Sequence, residues 1–184
     1  CVTGVTCALP IFFCEAAPVA AFEKLMDVEV PRRAQYIRVL TMELNRIASH
    51  TLFQGWMALD LGGITPILWS FIERDEIVDM LAALTGQKLL YNYYRIGGVN
   101  GDLNHEFMSR LGTWMSRAAA QIDSNLALIN ENEIFVRRTR GLGVLDAKTA
   151  LKMGVTGPNL RASGAPFDLR RDRPYLRHRV RRTR

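Results

Sequence analysis

The chain has 184 residues, of which 48% are hydrophobic and 23% are charged, as is ordinary for a globular protein that buries a core. Its net charge of +6 comes from residues 169–184, which contain eight arginines and one aspartate, so a uniformly basic nucleic-acid-binding domain is excluded. A nucleic-acid-binding fragment that uses this tail stays an alternative, and no apolar run reaches the ~20 residues of a membrane-spanning helix.

The first residues contain all three cysteines, Cys1, Cys7 and Cys14, and no histidine lies near them in the sequence. Their spacing fits neither a zinc site nor a disulfide framework, so we expect no metal site in this chain. Residues 2–11 resemble the translation of a sequencing adapter. We therefore predict that residues 1–19 are an artefact of sequence assembly or a disordered segment.

A long helix is predicted next. Pro31 suits the first turn of a helix, and apolar residues then recur at helical spacing as far as the pair Gly62 and Gly63. A helix over this range would have about 30 residues and a length of about 45 Å. Such a length is typical of a central helix in a bundle.

A second helix begins at Thr65 and Pro66 and is expected to end near Gly86, because glycine favours the left-handed conformation that stops a helix. Asn104 can cap a third long helix that reaches about Asn130. Residues 146–153 predict a short fourth helix. We therefore expect an all-α fold, a bundle of long helices with little or no β-structure.

Polar residues interrupt the apolar pattern of the first long helix, and burying them costs several kcal/mol unless they are paired. Glu43 and Arg46 are three residues apart and can pair, and His50 lies one turn further along the helix. Asp60 falls in the last turn, where the helix dipole disfavours a negative charge. From spacing alone, Asp60 fits a solvated helix end and the other three fit helix packing.

The order of residues from 43 to 98 resembles the D-type (49-kDa) subunit of the respiratory NADH–quinone oxidoreductase, complex I. The fold of that subunit is shared with the large subunit of nickel–iron hydrogenases. The motifs that show the resemblance are Glu43-Leu44-Asn45-Arg46-Ile47-Ala48-Ser49-His50, Asp60 and Tyr93-Tyr94-Arg95-Ile96-Gly97-Gly98. It extends over residues 20–175, which we expect to form a helical core from the centre of a longer protein. Residues 176–184 are predicted to be a basic, disordered tail.

The resemblance implies a role for Asp60 beside the head-group pocket of a quinone, in charge or proton movement coupled to quinone reduction. Leu52 and Trp56 precede Asp60 at intervals of four residues, so one helix face would line the quinone cavity. Phe71 from the next helix would close this cavity. Core packing is the alternative for Leu52, Trp56 and Phe71.

The family places an arginine that matches Arg95 near the terminal iron–sulfur cluster of the neighbouring B-type subunit, which we call the cluster subunit. A fixed guanidinium there would raise the potential of the cluster, whereas stacking on the adjacent tyrosines is the alternative. Many relatives have a histidine two residues before Asn92, where this chain has Leu90, which favours menaquinone over ubiquinone. Arg161 would anchor polar contacts at the interface with the cluster subunit.

The resemblance implies a quinone-binding subunit that binds no cofactor of its own and assembles with the cluster subunit and other subunits of complex I. It would pass electrons from the cluster to quinone, coupled to proton translocation, and would lie peripherally on the cytoplasmic side of the bacterial inner membrane. The alternative is the large subunit of a membrane-bound nickel–iron hydrogenase or a formate-linked relative, although Asp60 and residues 93–98 favour complex I. The family's pocket histidine and tyrosine would lie upstream of Ala20, so we expect the fragment alone to be inactive.

Overall fold

The computed structural model describes residues 11–176, so Cys1, Cys7 and most of the predicted tail lie outside the described residues. The described chain consists mainly of helices joined by short turns. Its elements are α1 (Ile11–Leu25), α2 (Arg32–Asp60), α3 (Ile64–Thr85), β1 (Tyr94–Arg95), β2 (Gly98–Val99), α4 (His105–Asn130), α5 (Glu133–Thr139), α6 (Ala147–Lys152), α7 (Gly157–Ala162) and α8 (Leu169–Asp172). The predicted all-α class is confirmed, because the strands in this part of the chain have two residues each.

The three long helices begin and end where the sequence signals predict. Helix α2 follows Pro31, and α3 ends at Gly86, whose φ of 77° places it in the left-handed region. Asn104 caps α4 by accepting a hydrogen bond from the backbone N–H of Phe107 at 2.7 Å. The short helix α6 begins at the cap Asp146. These caps fix the lengths of the helices that bear the candidate site.

Helix α1 departs from the expectation for residues 1–19. Residues 11–25 form one helix, with Pro18 inside it, and the ring of Phe12 is fully buried. Phe12 stacks on Tyr91, with ring centroids 4.6 Å apart and planes inclined by 16°. Residues 11–19 therefore pack as part of the fold. The adapter-like pattern ends at residue 11, and the apolar residues that follow it form the helix.

Helices α2 and α3 cross in close backbone contact at Gly55. A Cβ atom at Gly55 would lie 2.7 Å from Ser70 Oγ and 2.9 Å from the Cα of Ile67, so only glycine fits. Ser70 Oγ also accepts a hydrogen bond of 2.9 Å from Nδ2 of Asn125 in α4. All three polar or small residues of this helix crossing are buried. The crossing thus joins the three long helices at one point.

The chain divides into two compact units, Cys1–Val136 and Arg137–Arg184. Within the described residues, the first unit contains α1 to α4 and the hairpin, and the second contains α6 to α8. The second unit has a small core of its own, formed by Ala150, Leu160 and Ala165. The division falls inside residues 20–175, which the sequence predicts as one helical core, because no Pro-rich or Gly-rich linker marks it.

Candidate functional site

Asp60 is the last residue of α2 and its side chain is exposed. The turn that follows is well fixed, because the N–H groups of Leu61 and Gly63 both donate to the carbonyl of Ala58, at 3.2 Å and 2.8 Å. Gly62 has a φ of 96°, which favours glycine at this position. The fold therefore presents the Asp60 carboxylate at a defined helix end, facing away from the core of this chain.

A cavity of about 200 Å³ lies at the same end of α2. It is lined by the turn between α2 and α3, the start of α3, the end of α4 and the first residues of α5. Asp60 is not in its lining, although the adjacent Leu61 is. The volume is below the ~300 Å³ that small-molecule sites usually reach, so this cavity alone does not form a complete ligand site.

The three residues predicted to line the quinone cavity do not share one surface. They are Leu52, Trp56 and Phe71. Leu52 is only 3% exposed and packs in the core, whereas Trp56 and Phe71 are 47% and 43% exposed. Trp56 and Phe71 directly follow Gly55 and Ser70 of the helix crossing, so both aromatic residues flank the point where α2 and α3 meet. Core packing thus accounts for Leu52, and the two aromatic side chains stay available for contact.

The exposed aromatic residues belong to a larger apolar surface on α2 and α3. Its other members, each more than two-fifths exposed, are Phe53, Met57, Ile64, Leu68, Trp69 and Ile72. Several large exposed apolar side chains on two packed helices are typical of a surface that another protein segment or ligand covers. We call these residues, with Trp56 and Phe71, the open apolar face.

Glu43 and Arg46 form the predicted ion pair. Arg46 donates from Nε and Nη2 to the two carboxylate oxygens of Glu43, at 3.1 Å and 3.2 Å. The guanidinium also lies over the ring of Phe13 in α1, 4.6 Å from its centroid. His50 is exposed one turn further along α2. The pair therefore joins α1 to α2, in keeping with a role in helix packing.

Arg95 lies on the hairpin formed by β1 and β2, which pair in an antiparallel arrangement around Gly97. Its side chain is exposed and donates from Nη1 to Oδ1 of Asn92 at 2.6 Å and to the carbonyl of Tyr94 at 3.1 Å. Leu90 is also exposed. The sequence left open a stacking of Arg95 on the adjacent tyrosines. In this region it is the guanidinium of Arg38 that lies over a tyrosine ring, 5.7 Å from the centroid of Tyr94.

Sequence reasoning missed a buried ion pair beneath this hairpin. Arg38 of α2 is 2% exposed and Glu23 of α1 is 7% exposed. Two hydrogen bonds of 2.9 Å and 2.7 Å join Nη1 and Nη2 of Arg38 to the two carboxylate oxygens of Glu23. A signal was present, because Arg38 interrupts an apolar run, and a charge in such a position requires a buried partner.

A second carboxylate from α1 also contacts this region. Glu15 accepts a hydrogen bond of 2.9 Å from the backbone N–H of Tyr94. Burial raises the pKa of Glu15 and outweighs the opposing effect of that hydrogen bond. Burial likewise raises the pKa of Tyr91 to about 12 and that of Tyr93 to about 12. These tyrosines therefore stay protonated at neutral pH and act as packing and hydrogen-bonding groups.

Asp60 and Arg95 lie at opposite ends of α2. The carbonyl of Arg95 is 2.8 Å from Nη2 of Arg38, and Asp60 follows Arg38 by 22 positions along α2. At 1.5 Å per residue, this corresponds to about 33 Å along the helix axis. The structure thus divides the predicted site residues into two separate regions, and one small ligand cannot contact both.

Arg161 belongs to the second unit, where Nη1 donates to the carbonyl of Phe167 at 3.4 Å and lies 3.6 Å from Oδ2 of Asp168. The pKa of Asp168 is lowered to about 2, chiefly by its hydrogen bond from Arg170.

Among residues 11–176, no three His, Cys, Asp or Glu side chains come together as a metal site. None of the helices in this range is both long and apolar enough to cross a bilayer.

Comparison with known proteins gives a consistent result. Residues 60–180 match the sequence model of the family described as Respiratory-chain NADH dehydrogenase, 49 Kd subunit. The D-type subunit of the NADH-quinone oxidoreductase of Clostridium beijerinckii is 47% identical over 161 residues, which cover 88% of this chain and 44% of that protein. The corresponding protein of Chlorobium luteolum is 45% identical over 161 residues, covering 88% of this chain and 41% of that protein.

A third relative, the D-type subunit of the NADH-quinone oxidoreductase of Syntrophobacter fumaroxidans, is 45% identical over 157 residues, covering 85% of this chain and 42% of that protein. The resemblance inferred from the motifs is confirmed by these matches. The chain spans less than half the length of these curated relatives.

Proposed function

Because this chain belongs to the family of the 49-kDa subunit of respiratory-chain NADH dehydrogenase, we propose that it is part of the quinone-binding subunit of an NADH–quinone oxidoreductase. In this proposal, the quinone-binding subunit and the neighbouring cluster subunit form a chamber in which electrons pass from the terminal iron–sulfur cluster to quinone. Quinone reduction is coupled there to proton translocation. The protein lies peripherally on the cytoplasmic side of the inner membrane.

The observation that best supports this proposal is the exposed carboxylate of Asp60 at a fixed helix end, on the helix that also presents Trp56 to solvent. Aromatic side chains such as Trp56 and Phe71 offer flat apolar surfaces on which a quinone ring can pack. A covering protein would exclude water, which strengthens the interaction between the carboxylate and any proton or positive group that arrives. Asp60 would then accept or stabilise charge as the quinone is reduced.

Arg95 has a separate role in the proposal. Its exposed guanidinium would face the iron–sulfur cluster in the cluster subunit, where a fixed positive charge favours the reduced cluster and raises its potential. Since about 33 Å of α2 separates this hairpin from Asp60, the two residues would act on different groups. Each assignment can therefore be tested without the other.

The test of Asp60 is the variant Asp60→Asn in the intact parent complex, with reduction of the iron–sulfur cluster and turnover of quinone measured separately. Asparagine keeps the shape of the side chain and removes its charge and its capacity to take up a proton. We expect cluster reduction by NADH to be unchanged and quinone turnover to fall by about a hundredfold or more, in the range of general acid–base effects.

Asp123→Asn provides the control, because Asp123 is an exposed acid in the C-terminal half of α4. We expect its quinone turnover to equal that of the unmodified complex. If the Asp60 variant and the Asp123 variant both turn over quinone at the normal rate, Asp60 has no part in the reaction.

The preference for menaquinone depends on Leu90, which stands where many relatives have a histidine. We expect the potential of the cluster to be independent of pH between about pH 6 and pH 8 in the unmodified complex. In Leu90→His it should fall as the pH rises through the histidine pKa near ~6.5, because the imidazole loses its positive charge. Redox titration at several pH values measures the potential of the cluster. A pH-dependent potential in the unmodified complex would contradict the expected effect of Leu90, on which the preference for menaquinone depends.

A further inference from the structure

The buried ion pair of Glu23 and Arg38 also contacts the backbone of the hairpin that bears Arg95. Nη2 of Arg38 donates to the carbonyl of Arg95 at 2.8 Å and to the carbonyl of Gly98 at 2.7 Å, and Nε donates to Gly98 at 3.2 Å. On the other side, Oε1 of Glu23 accepts a hydrogen bond of 2.8 Å from the N–H of Gly97. The two charged side chains together form hydrogen bonds with the backbone of three of the four residues in the turn 95–98, namely Arg95, Gly97 and Gly98.

The chemistry of the pair suits this task. A guanidinium has several N–H donors in one rigid plane, so Arg38 can bind the Glu23 carboxylate and two hairpin carbonyls at once. A lysine has the same charge but lacks this planar fork. Replacing a buried ion pair with apolar residues is often neutral or stabilising, so stability alone gives little reason for such a pair. The contacts of this pair point instead to a defined backbone geometry.

The orientation of Arg95 depends on that geometry. The hydrogen bonds of its guanidinium run to Asn92 and to the carbonyl of Tyr94, which belong to the same segment. The segment in turn is fixed to α1 by Glu15 at the N–H of Tyr94 and by the stacking of Phe12 on Tyr91. A shift of the hairpin backbone would therefore move the Arg95 guanidinium with it.

We propose that Glu23 and Arg38 are positioning residues, which fix the hairpin so that the Arg95 guanidinium points at the iron–sulfur cluster of the cluster subunit. This inference rests on the proposed function, in which Arg95 faces that cluster. Glu23 and Arg38 touch neither the cluster nor the quinone in this account. Their effect on the cluster passes through the backbone of residues 95–98.

The test compares Arg38→Lys with Arg95→Gln in the intact complex, using the midpoint potential of the terminal cluster measured by redox titration. Arg38→Lys keeps the buried positive charge, so a direct electrostatic effect of that charge on the cluster would be retained. It removes the fork that binds Arg95 and Gly98, so positioning would be lost. We expect the potential of the cluster to fall in both Arg38→Lys and Arg95→Gln, because a fixed positive charge beside the cluster raises its potential.

The double variant Arg38→Lys/Arg95→Gln separates the positioning role from general damage. If Arg38 acts through Arg95, the double variant has the potential of Arg95→Gln alone, because nothing is left to position. Additive shifts from the two substitutions would overturn the proposal. An unchanged potential in Arg38→Lys, beside a shifted one in Arg95→Gln, would also overturn it while leaving the proposed role of Arg95 intact.

An unshifted potential in Arg95→Gln itself would instead remove Arg95 from the cluster, and the proposed function of this hairpin would fail with it. Arg33→Lys is the matched control, because Arg33 also lies on α2 but forms an exposed ion pair with Asp102. Its cluster potential should equal that of the unmodified complex.

Glu23→Gln offers a second route if Arg38→Lys lowers the yield of assembled complex. Hydrogen exchange of the backbone N–H groups in residues 95–98 is then measured in the assembled complex beside the potential. The N–H of Gly97, which donates to Glu23, should exchange several-fold faster, and the potential should shift as in Arg95→Gln. Unaltered exchange at Gly97 would contradict the positioning role.

Discussion

The two ends of α2 are built in different ways. At its N-terminal end, which we call the clamped end, Arg38 is buried against Glu23, and α1 and the hairpin pack around it with aromatic stacking and hydrogen bonds. At its C-terminal end, the open end, α2 approaches α3 closely through Gly55, and the open apolar face and Asp60 are exposed. At the clamped end the charged side chains of Arg38 and Glu23 are buried and paired with each other, whereas at the open end the Asp60 carboxylate is exposed.

This difference indicates how the protein could combine a rigid contact with an adaptable one. In the proposed function the Arg95 guanidinium acts on a cluster, and such a role benefits from the fixed backbone geometry that the clamped end supplies. A carboxylate that takes up charge benefits from an open surface that a ligand or another protein can enclose.

The largest effect is expected at the clamped end for Arg38→Met. Removing one partner of a buried ion pair leaves the Glu23 carboxylate without its counter-charge, which should lower the free energy of unfolding by about 4 kcal/mol. Urea unfolding of the chain followed by circular dichroism measures this. Arg33→Met breaks only an exposed ion pair and should cost less than about 1 kcal/mol. Equal losses in the two variants would show that the buried pair contributes no more than a surface pair.

Phe12→Ala should destabilise the chain by about 3 kcal/mol, because it empties a fully buried position and removes the stacking on Tyr91. The control is Phe22→Ala on the same helix, where the ring is 54% exposed, and we expect a change within about 0.5 kcal/mol. Thermal and urea unfolding report both. A loss at Phe12 as small as that at Phe22 would mean that α1 is not packed in the fold.

At the open end, Gly55→Ala should destabilise the chain by about 1 to 2 kcal/mol. The added methyl group would meet Ser70 Oγ and the backbone of Ile67 within 3 Å, which outweighs the better helix propensity of alanine. Gly112→Ala in α4 has no atom within 4 Å of the new Cβ and should stabilise the chain by up to about 1 kcal/mol. Stability changes of the same sign in both variants would rule out the close crossing.

The smallest expected effect is a pH dependence at the clamped end. Burial is the largest single influence on the pKa of Glu23 and raises it, but the hydrogen bonds from Arg38 and from the N–H of Gly97, with the positive charge of Arg38, together outweigh burial, so the pKa is lowered. A carboxyl whose pKa is lowered by folding stabilises the fold above its ordinary pKa of 4.5, and this contribution is lost as the pH falls through the lowered value.

Glu23→Gln should therefore show a weaker loss of stability than the unmodified chain as the pH falls below the ordinary carboxyl pKa of 4.5, although it is less stable at neutral pH. Unfolding midpoints in urea at several pH values measure this difference. Parallel pH profiles for the two chains would mean that Glu23 does not titrate as described.

The long helices could be predicted from sequence because their signals are local. Asn104 and Gly86 act within one turn of the helix ends that they define, and apolar spacing gives the rest. The contacts of Arg38 could not be predicted in the same way, because its partners Glu23 and Gly98 are 15 and 60 residues away. The sequence indicates only that a buried Arg38 needs a partner, because an unpaired buried charge is costly, and it does not identify that partner.

The candidate site was predictable in part for a similar reason. Spacing placed Leu52, Trp56 and Asp60 on one side of α2, but their depth depends on how α3 and α4 pack against that side, and Leu52 is buried while Asp60 is exposed. The hairpin position of Arg95 depends on α1, whose first residues the sequence predicts to be an artefact or disordered. Resemblance identified the residues, and tertiary packing decided which of them are accessible.

The most direct test of this account is to map where quinone binds in the intact complex with a photoreactive quinone analogue, followed by identification of the labelled peptides. The account predicts label on the open end of α2 and on α3, at or beside Trp56, Asp60 and Phe71, with competition by excess quinone. Competable label confined to the hairpin around Arg95, or absent from this protein altogether, would contradict the claim that the open end receives the quinone.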